Sequence, residues 1–584
     1  MKTCSSPIQP ISRPVSSLSG FRGRTGGNPR RPGRPLAWML LLALTMGSHL
    51  ASAANGSWSN NSGAADASWG LGDNWNSGTI PGSDDRDTVN ADIATFGESA
   101  NAISPVLDSD RRLARIDIDN TLGDYHIRTA SADHMLYLQG ISTGLFITGG
   151  GATTIDPTVT LGASHTWSTG STNVTLTRGL EVKAEATWTL VNTAPVNVGG
   201  VVRGVAGSAG RLIFGGSGSA VISASIENTS SGNNMNIGSA AGFSGTVTLT
   251  GDNSFTPGDF HWRSGTLEIG SDTALGTTAS GGTVLAMSLG TSSTANAQAV
   301  NVLTIGAFTV TRDILFNSTT NTVDYTVGGA QTSGTSVYRG KINLNGHPGG
   351  LRVTSAAGGT VDFNGEIQGT LSAETKITKV GEGIVRFTRS AGNTYSGGTT
   401  VSAGTLLVEN TSGSGLGTGS VAVNGGILGG GGSISGAVHV AAGAMIMGGD
   451  GTTASESLSL SGGLNLEEGA IIRLSLGAAG SHSSLAGTGS AAWVFAEDQL
   501  FSFVDLGAEA GFYDNLITGL IGDPGTTGSW RIANDGWQGV FSYDGSGGID
   551  LTLSAVPEPS TWAFLLGGAG CALLFRRRMK GCRG

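Results

Sequence analysis

The stretch AGTLLVENTSGSGLGTGSVAVNGG, Ala403–Gly426, carries two short apolar pulses, Leu406/Val408 and Val421/Val423, divided by glycine and serine. Each pulse places apolar residues at i and i+2, the spacing at which strand side chains share one face. The same signature continues downstream at Val438/Val440, Met445/Met447, Leu458/Leu460, Leu464/Leu466 and Leu474/Leu476. Each pair is expected to point inward. Between the pulses, Asn424-Gly-Gly426, Gly429–Gly432 and Gly448-Gly449 provide corners where a positive φ carries no steric cost. No segment of the body holds a 3.6-residue apolar stripe over 12 or more residues. The chain therefore reads as all-β, and many short strands with glycine corners leave two architectures, a sandwich or a solenoid.

Composition agrees with that class. Glycine supplies 98 of 584 residues, and charged residues only 13% against 38% hydrophobic, which argues for a folded chain over a disordered one. An internal echo favours the solenoid. Asn393-Thr-Tyr-Ser-Gly-Gly398, Ala403-Gly-Thr-Leu-Leu-Val408 and Gly415-Leu-Gly-Thr418 follow, at offsets of 139 to 141 residues, Asn253-Ser-Phe-Thr-Pro-Gly258, Ser264-Gly-Thr-Leu-Glu-Ile269 and Ala274-Leu-Gly-Thr277.

The better copy, running from Thr378-Lys-Val-Gly-Glu-Gly-Ile-Val-Arg-Phe387 to Gly426, resembles the autotransporter-associated β-strand repeat. The resemblance implies a large, exported, right-handed parallel β-helix. In such a fold Tyr395 and its counterpart Phe255 would pack at a corner. Coils of roughly 20–25 residues, each advancing about 4.8 Å, would give a rod on the order of 100 Å long. The body divides into a Trp-rich N-terminal cap (54–110), the solenoid (111–489, with repeat copies at 378–426 and 245–277) and a C-terminal β module or cap (490–554). Trp58, Trp69 and Trp75 are expected to form a hydrophobic lid, with an exposed platform for sugar stacking as the alternative. Trp493, Trp530, Trp537, Phe541 and Tyr543 are expected to cap the other end.

Both termini read as targeting segments. Residues 1–53 hold seven basic and no acidic residues, an apolar run at Leu36–Gly47, and the small-x-small pattern Ala51-Ser-Ala53. This is a secretory signal peptide with cleavage expected after Ala53, which makes the export machinery a partner. At the other end, Val556-Pro-Glu-Pro559 precedes an apolar run, Thr561–Phe575, and then Arg576-Arg577-Arg578. The prolines isolate the run, and the arginines supply a stop-transfer, positive-inside flank, so 561–575 is expected to be a single transmembrane helix. Residues 556–580 resemble the PEP-CTERM sorting signal. That resemblance implies recognition of Pro557, Glu558 and Pro559 by an exosortase-type processing enzyme, and orientation by Arg576–Arg578. Autotransporters instead end in a membrane β-barrel, so self-translocation through such a barrel is not expected.

The remaining chemistry is sparse. Residues 54–575 carry 20 basic against 42 acidic residues, which excludes a nucleic-acid partner on electrostatic grounds. The three cysteines, Cys4, Cys571 and Cys582, lie outside the body, so no disulfide framework or Cys-based metal site exists there. Asp124, His126, Asp133 and His134 lie close in sequence, as a metal or acid/base cluster would require, but such a group is more often a solvated turn. Asp84-Asp-Arg-Asp87 lacks the spacing of a calcium loop. Asp117 and Asp119 are expected to face solvent, as is His439. His165, His261, His347 and His482 lack ligand spacing. No nucleophile elbow, HExxH or P-loop is present. The expectation is a non-enzymatic structural or adhesive envelope protein, without metal or cofactor, acting among extracellular polysaccharides. The alternative is a secreted β-helical polysaccharide lyase or hydrolase, which would show a groove with converging Asp, Lys and Arg.

Overall fold

The computed structural model describes residues 53–556, apart from 61–66, 83–90, 98–103, 141, 184, 206–209, 228–235, 254–259, 277–285, 292–297 and 370–374. Ala51, Asp84–Asp87, Phe255, and the tail with Pro557, Glu558, Pro559, the 561–575 segment and Arg576–Arg578 lie outside the described residues. Ala53 is exposed. Short strands wind into a parallel β-solenoid of about 15 turns. Its spine is a 17-stranded parallel ladder from Val106–Leu107 to Trp493–Val494. Flanking sheets change along the axis. A 13-stranded sheet covers Gly56–Trp58 to Ile367–Gln368, and a 10-stranded one covers Thr309–Val310 to Arg531–Ile532. Two six-stranded sheets complete the coils at the two ends, beginning at Arg111–Leu113 and Ser433–Ile434. Among the described residues no helix is long and apolar enough to cross a membrane.

Alternation decides the interior. Val327, Val353, Val401, Val423, Val440 and Leu466 stack in register on the inner face of the spine, each fully or almost fully buried. The expected inward pairs are found at Val421/Val423, Val438/Val440, Leu458/Leu460, Leu464/Leu466 and Leu474/Leu476. Met445 is the exception. Ile446 takes the core position, in register with Leu428 and Ile472, while Met445 is only half-buried. Coil length varies more than a 20–25-residue period allows. The step is 17 residues between Val423 and Val440 and 35 between Leu267 and Val302. Corner loops absorb the difference while strand spacing stays fixed, so the 17-stranded spine measures about 80 Å, shorter than a uniform period implies.

Two devices set the corners. Gly404 (φ +64°) and Gly426 (φ +71°) occupy left-handed backbone in successive coils. A Cβ on Gly404 would lie 2.4 Å from the Gly381 carbonyl oxygen, and one on Gly426 would lie 2.2 Å from that of Gly404. Only glycine permits both the φ and this approach. The second device is an asparagine staple. Asn393 Oδ1 accepts from the Ile367 N–H (2.9 Å) and its Nδ2 donates to the Gly415 carbonyl (2.7 Å). Asn253 does the same between Ile226 N–H (2.8 Å) and the Ala274 carbonyl (2.6 Å). The 140-residue echo is thus a repeated structural part. The two copies are offset by one face: Gly265–Ile269 joins the spine, whereas Thr405–Val408 joins the 10-stranded sheet. Asn393→Ala is expected to cost about 2 kcal/mol by stranding a buried donor and acceptor. Urea denaturation should show the loss, and Asn253→Ala should match it.

Both ends are closed by aromatics. Trp69 and Trp75 are fully buried and Trp58 is 7% exposed. Together with Phe96 they form edge-on and tilted ring pairs at centroid distances of 5.0 to 5.9 Å. The Trp69 and Trp75 indole N–H groups donate to the carbonyls of Pro81 and Trp69. These three tryptophans form a buried hydrophobic cluster, and none of them offers an exposed ring face. At the far end parallel pairing continues through Arg531–Ile532 and then reverses. Trp537–Tyr543 and Gly511–Thr518 both pair antiparallel with Ile549–Ala555. Trp530 and Phe541 are buried against Phe501, while Trp493, Trp537 and Tyr543 are partly buried.

Candidate functional site

The acidic and histidine residues marked in the sequence do not converge. Asp124 Oδ1 accepts from the Ala152 N–H (2.6 Å), tying one coil to the next. His126 Nε2 lies 2.8 Å from Asp156 Oδ2 across the same coil boundary. His134 Nδ1 meets the Leu107 carbonyl, and Asp133 is an exposed turn residue. Asp117 and Asp119 alternate with buried Ile116 and Ile118 and face outward, as expected. His439 also faces outward, 3.2 Å from Glu467. His165 and His347 are buried against carbonyls, and burial lowers both imidazole pKa values while those carbonyls oppose the shift. Among the described residues no group of three or more His, Cys, Asp or Glu side chains is placed to hold a metal ion.

Charged side chains are used mainly between coils. Glu181–Arg203 and Asp362–Arg386 sit directly opposite each other in adjacent strands. Glu185–Arg211 and Asp324–Arg352 also bridge neighbouring turns. The more exposed pairs, Glu185–Arg211 and Asp324–Arg352, contribute about 0–1 kcal/mol each, so they favour correct register more than they add stability. The result is a scattered polar surface.

Several charged residues are buried, Arg112 and Arg312 among them, and Lys379 sits in the core column of the spine itself. Lys379 continues the aliphatic column, in register between Val353 and Val401, and is fully buried. Its ammonium donates to the carbonyls of Val380 (3.0 Å), Gly381 (2.6 Å) and Ala403 (2.9 Å). Burial pushes its pKa down to about 8, with Glu382 acting in the opposite sense. No motif in the sequence marks Lys379. Its signal is parity: Ile377 points inward, and the position two residues on must do so too.

An acidic cleft of about 420 Å³ is lined by Glu468, Glu497, Asp498, Ser529 and Arg531. Arg531 is held by Asp498 at 2.8 Å, and the Ser529 hydroxyl donates to the Glu497 carbonyl. A shallower depression of about 440 Å³ crosses the outer face of the spine at Ala422, His439, Asn465 and Val494.

A family model described as Passenger-associated-transport-repeat matches residues 377–408. The matched segment contains the interior Lys379, the stapling Asn393, the buried Tyr395 and the corner Gly404. Repeats of this kind are typical of exported autotransporter passenger domains. No curated protein and no solved structure matches the chain.

Proposed function

We propose that the chain is an exported structural or adhesive rod of the cell envelope or extracellular matrix, without catalytic activity, working among extracellular polysaccharides. The observation that carries this reading is the coincidence of an uninterrupted coil-to-coil ladder with a passenger-type repeat within it. A solenoid of that length presents a large surface at fixed spacing, the property an adhesin or matrix protein needs. The signal peptide delivers it to the export machinery. The Pro557-Glu558-Pro559 tail then acts as the sorting signal for an exosortase-type enzyme, with 561–575 inserting in the inner membrane and Arg576–Arg578 setting orientation. In the host, a tagged chain carrying Pro557→Ala, Glu558→Ala and Pro559→Ala is expected to accumulate as a larger, unprocessed, membrane-retained form. Identical size and location of the two forms would overturn the sorting assignment.

The acidic cleft gives the lyase or hydrolase reading its one specific support, because paired carboxylates beside an arginine are the groups glycan cleavage uses. Incubation of the full chain with acidic and neutral polysaccharides is expected to yield no reducing ends. Robust turnover abolished by Glu497→Gln or Asp498→Asn would replace the structural reading with the enzymatic one.

A further inference from the structure

The C-terminal cap holds a second, smaller cavity of about 180 Å³, walled by Trp493, Phe495, Leu520, Ile521 and Pro524, with Asp523 at its edge. Sites for drug-sized ligands usually enclose about 300–1,000 Å³, so this one admits a single ring. Its aromatic side is rigidly backed: Trp493 and Phe495 lie 6.3 Å apart, and Phe495 packs at 4.9 Å on Trp530, itself 5% exposed in the core. Trp493 and Phe495 nevertheless remain partly exposed, unlike the buried tryptophans of the N-terminal lid. The polar groups are few. The Trp493 indole N–H has no partner among the described residues. Asp523 Oδ1 accepts from the Gly525 N–H (2.8 Å), which fixes the turn and leaves Oδ2 without a partner among the described residues.

A flat apolar wall, one free N–H donor and one free carboxylate acceptor fit a pyranose, whose C–H face stacks on an aromatic ring while its hydroxyls both accept and donate. Charge narrows the class. Residues 491–556 contain nine acidic side chains and one basic side chain, Arg531, which is already paired with Asp498. Such a field repels uronates and phosphorylated sugars.

We propose that this cavity is a binding subsite for one neutral hexopyranose unit of a polysaccharide, read by Trp493 and Asp523. The proposal deepens the extracellular reading, since only an exported rod would meet such a ligand. Its test is made on purified full chain, independent of sorting. Tryptophan fluorescence would be followed on titration with cellotriose, mannotriose and galactotriose, with trigalacturonate as the anionic counterpart. At least one neutral trisaccharide is expected to perturb the emission at millimolar concentration, and trigalacturonate to bind at least tenfold more weakly. Asp523→Asn keeps the turn acceptor and should weaken binding about tenfold. Trp493→Ala, read by calorimetry because it removes the probe, should abolish it. Absence of binding by all three neutral sugars, preference for trigalacturonate, or unchanged affinity in Asp523→Asn would each overturn the assignment, while leaving the sorting experiment unaffected.

Discussion

Lys379→Ala is expected to lower the unfolding free energy of the central coils by about 3 kcal/mol at neutral pH. Deleting a fully buried aliphatic stem leaves a cavity in the Val353–Val401 column, a change that costs about 2–5 kcal/mol in packed cores. Carbonyls of Gly381 and Ala403 lose the ammonium donor, at about 1–3 kcal/mol for each group left unsatisfied. Against these stands the removal of a buried charge, worth about 3 kcal/mol for a pKa moved from 10.5 to about 8. Cavity and carbonyl losses together exceed that gain.

The pH dependence separates this account from simple packing loss. Below pH 8 the lysine is protonated in both folded and unfolded chains, and its contribution is constant. Between about pH 8 and 10.5 the unfolded chain still holds the proton that the folded chain has released, so wild-type stability rises through that window. The alanine variant lacks this rise. The gap between the two proteins in urea denaturation should therefore widen from pH 7 to pH 10. A gap that stays constant would show that the ammonium is not destabilised by burial.

Trp188→Ala is expected to cost about 4 kcal/mol. Trp188 is fully buried and stands edge-on to Trp167 at 4.9 Å and tilted on Phe214 at 5.8 Å, so one residue links three successive coils. Its indole N–H has no hydrogen-bond partner among the described residues, so the loss is one of packing and area. Because each coil is stabilised mainly by its neighbours, the damage should be local. Hydrogen exchange is expected to lose protection at residues 165–216 while residues 438–476 keep theirs, and near-UV dichroism should fall. Trp188→Phe should recover much of the stability. Uniform loss of protection along the whole rod would refute the neighbour-limited picture.

The architecture was legible because a solenoid writes its inner face into the sequence at every strand. Val421/Val423, Leu458/Leu460 and Leu474/Leu476 each announce a strand and its orientation without reference to distant residues. Met445 misled because Ile446 lies between two equally apolar neighbours, and parity alone does not rank three consecutive hydrophobes. Coil length was not legible: corner loops carry no periodic signal, and only the pairing of Leu267 with Val302 reveals a 35-residue turn. Asn253 and Asn393 were visible as an echo, but their stapling role depends on backbone groups more than 20 residues away. The C-terminal cavity was least legible of all, since Trp493 and Asp523 are brought together only by the turn that closes the rod. Trp58, Trp69 and Trp75 carry the stronger compositional signal and prove to be buried.

The reversal of strand direction at Ile549–Ala555 has a consequence for assembly. A stack of parallel rungs is in principle open-ended: any molecule offering the next rung could extend it into a filament. Here the last rung of the spine is two residues long, as is the last of the 10-stranded sheet, and in the remaining sheet the reversed strand Ile549–Ala555 stands between the parallel rungs and the edge strand Trp537–Tyr543. A second molecule arriving at that end finds only two two-residue rungs and, in the third sheet, an edge cut off from the parallel stack by a reversed strand. Continued parallel stacking is thereby disfavoured at this end, in a fold built from the same repeating contacts as amyloid.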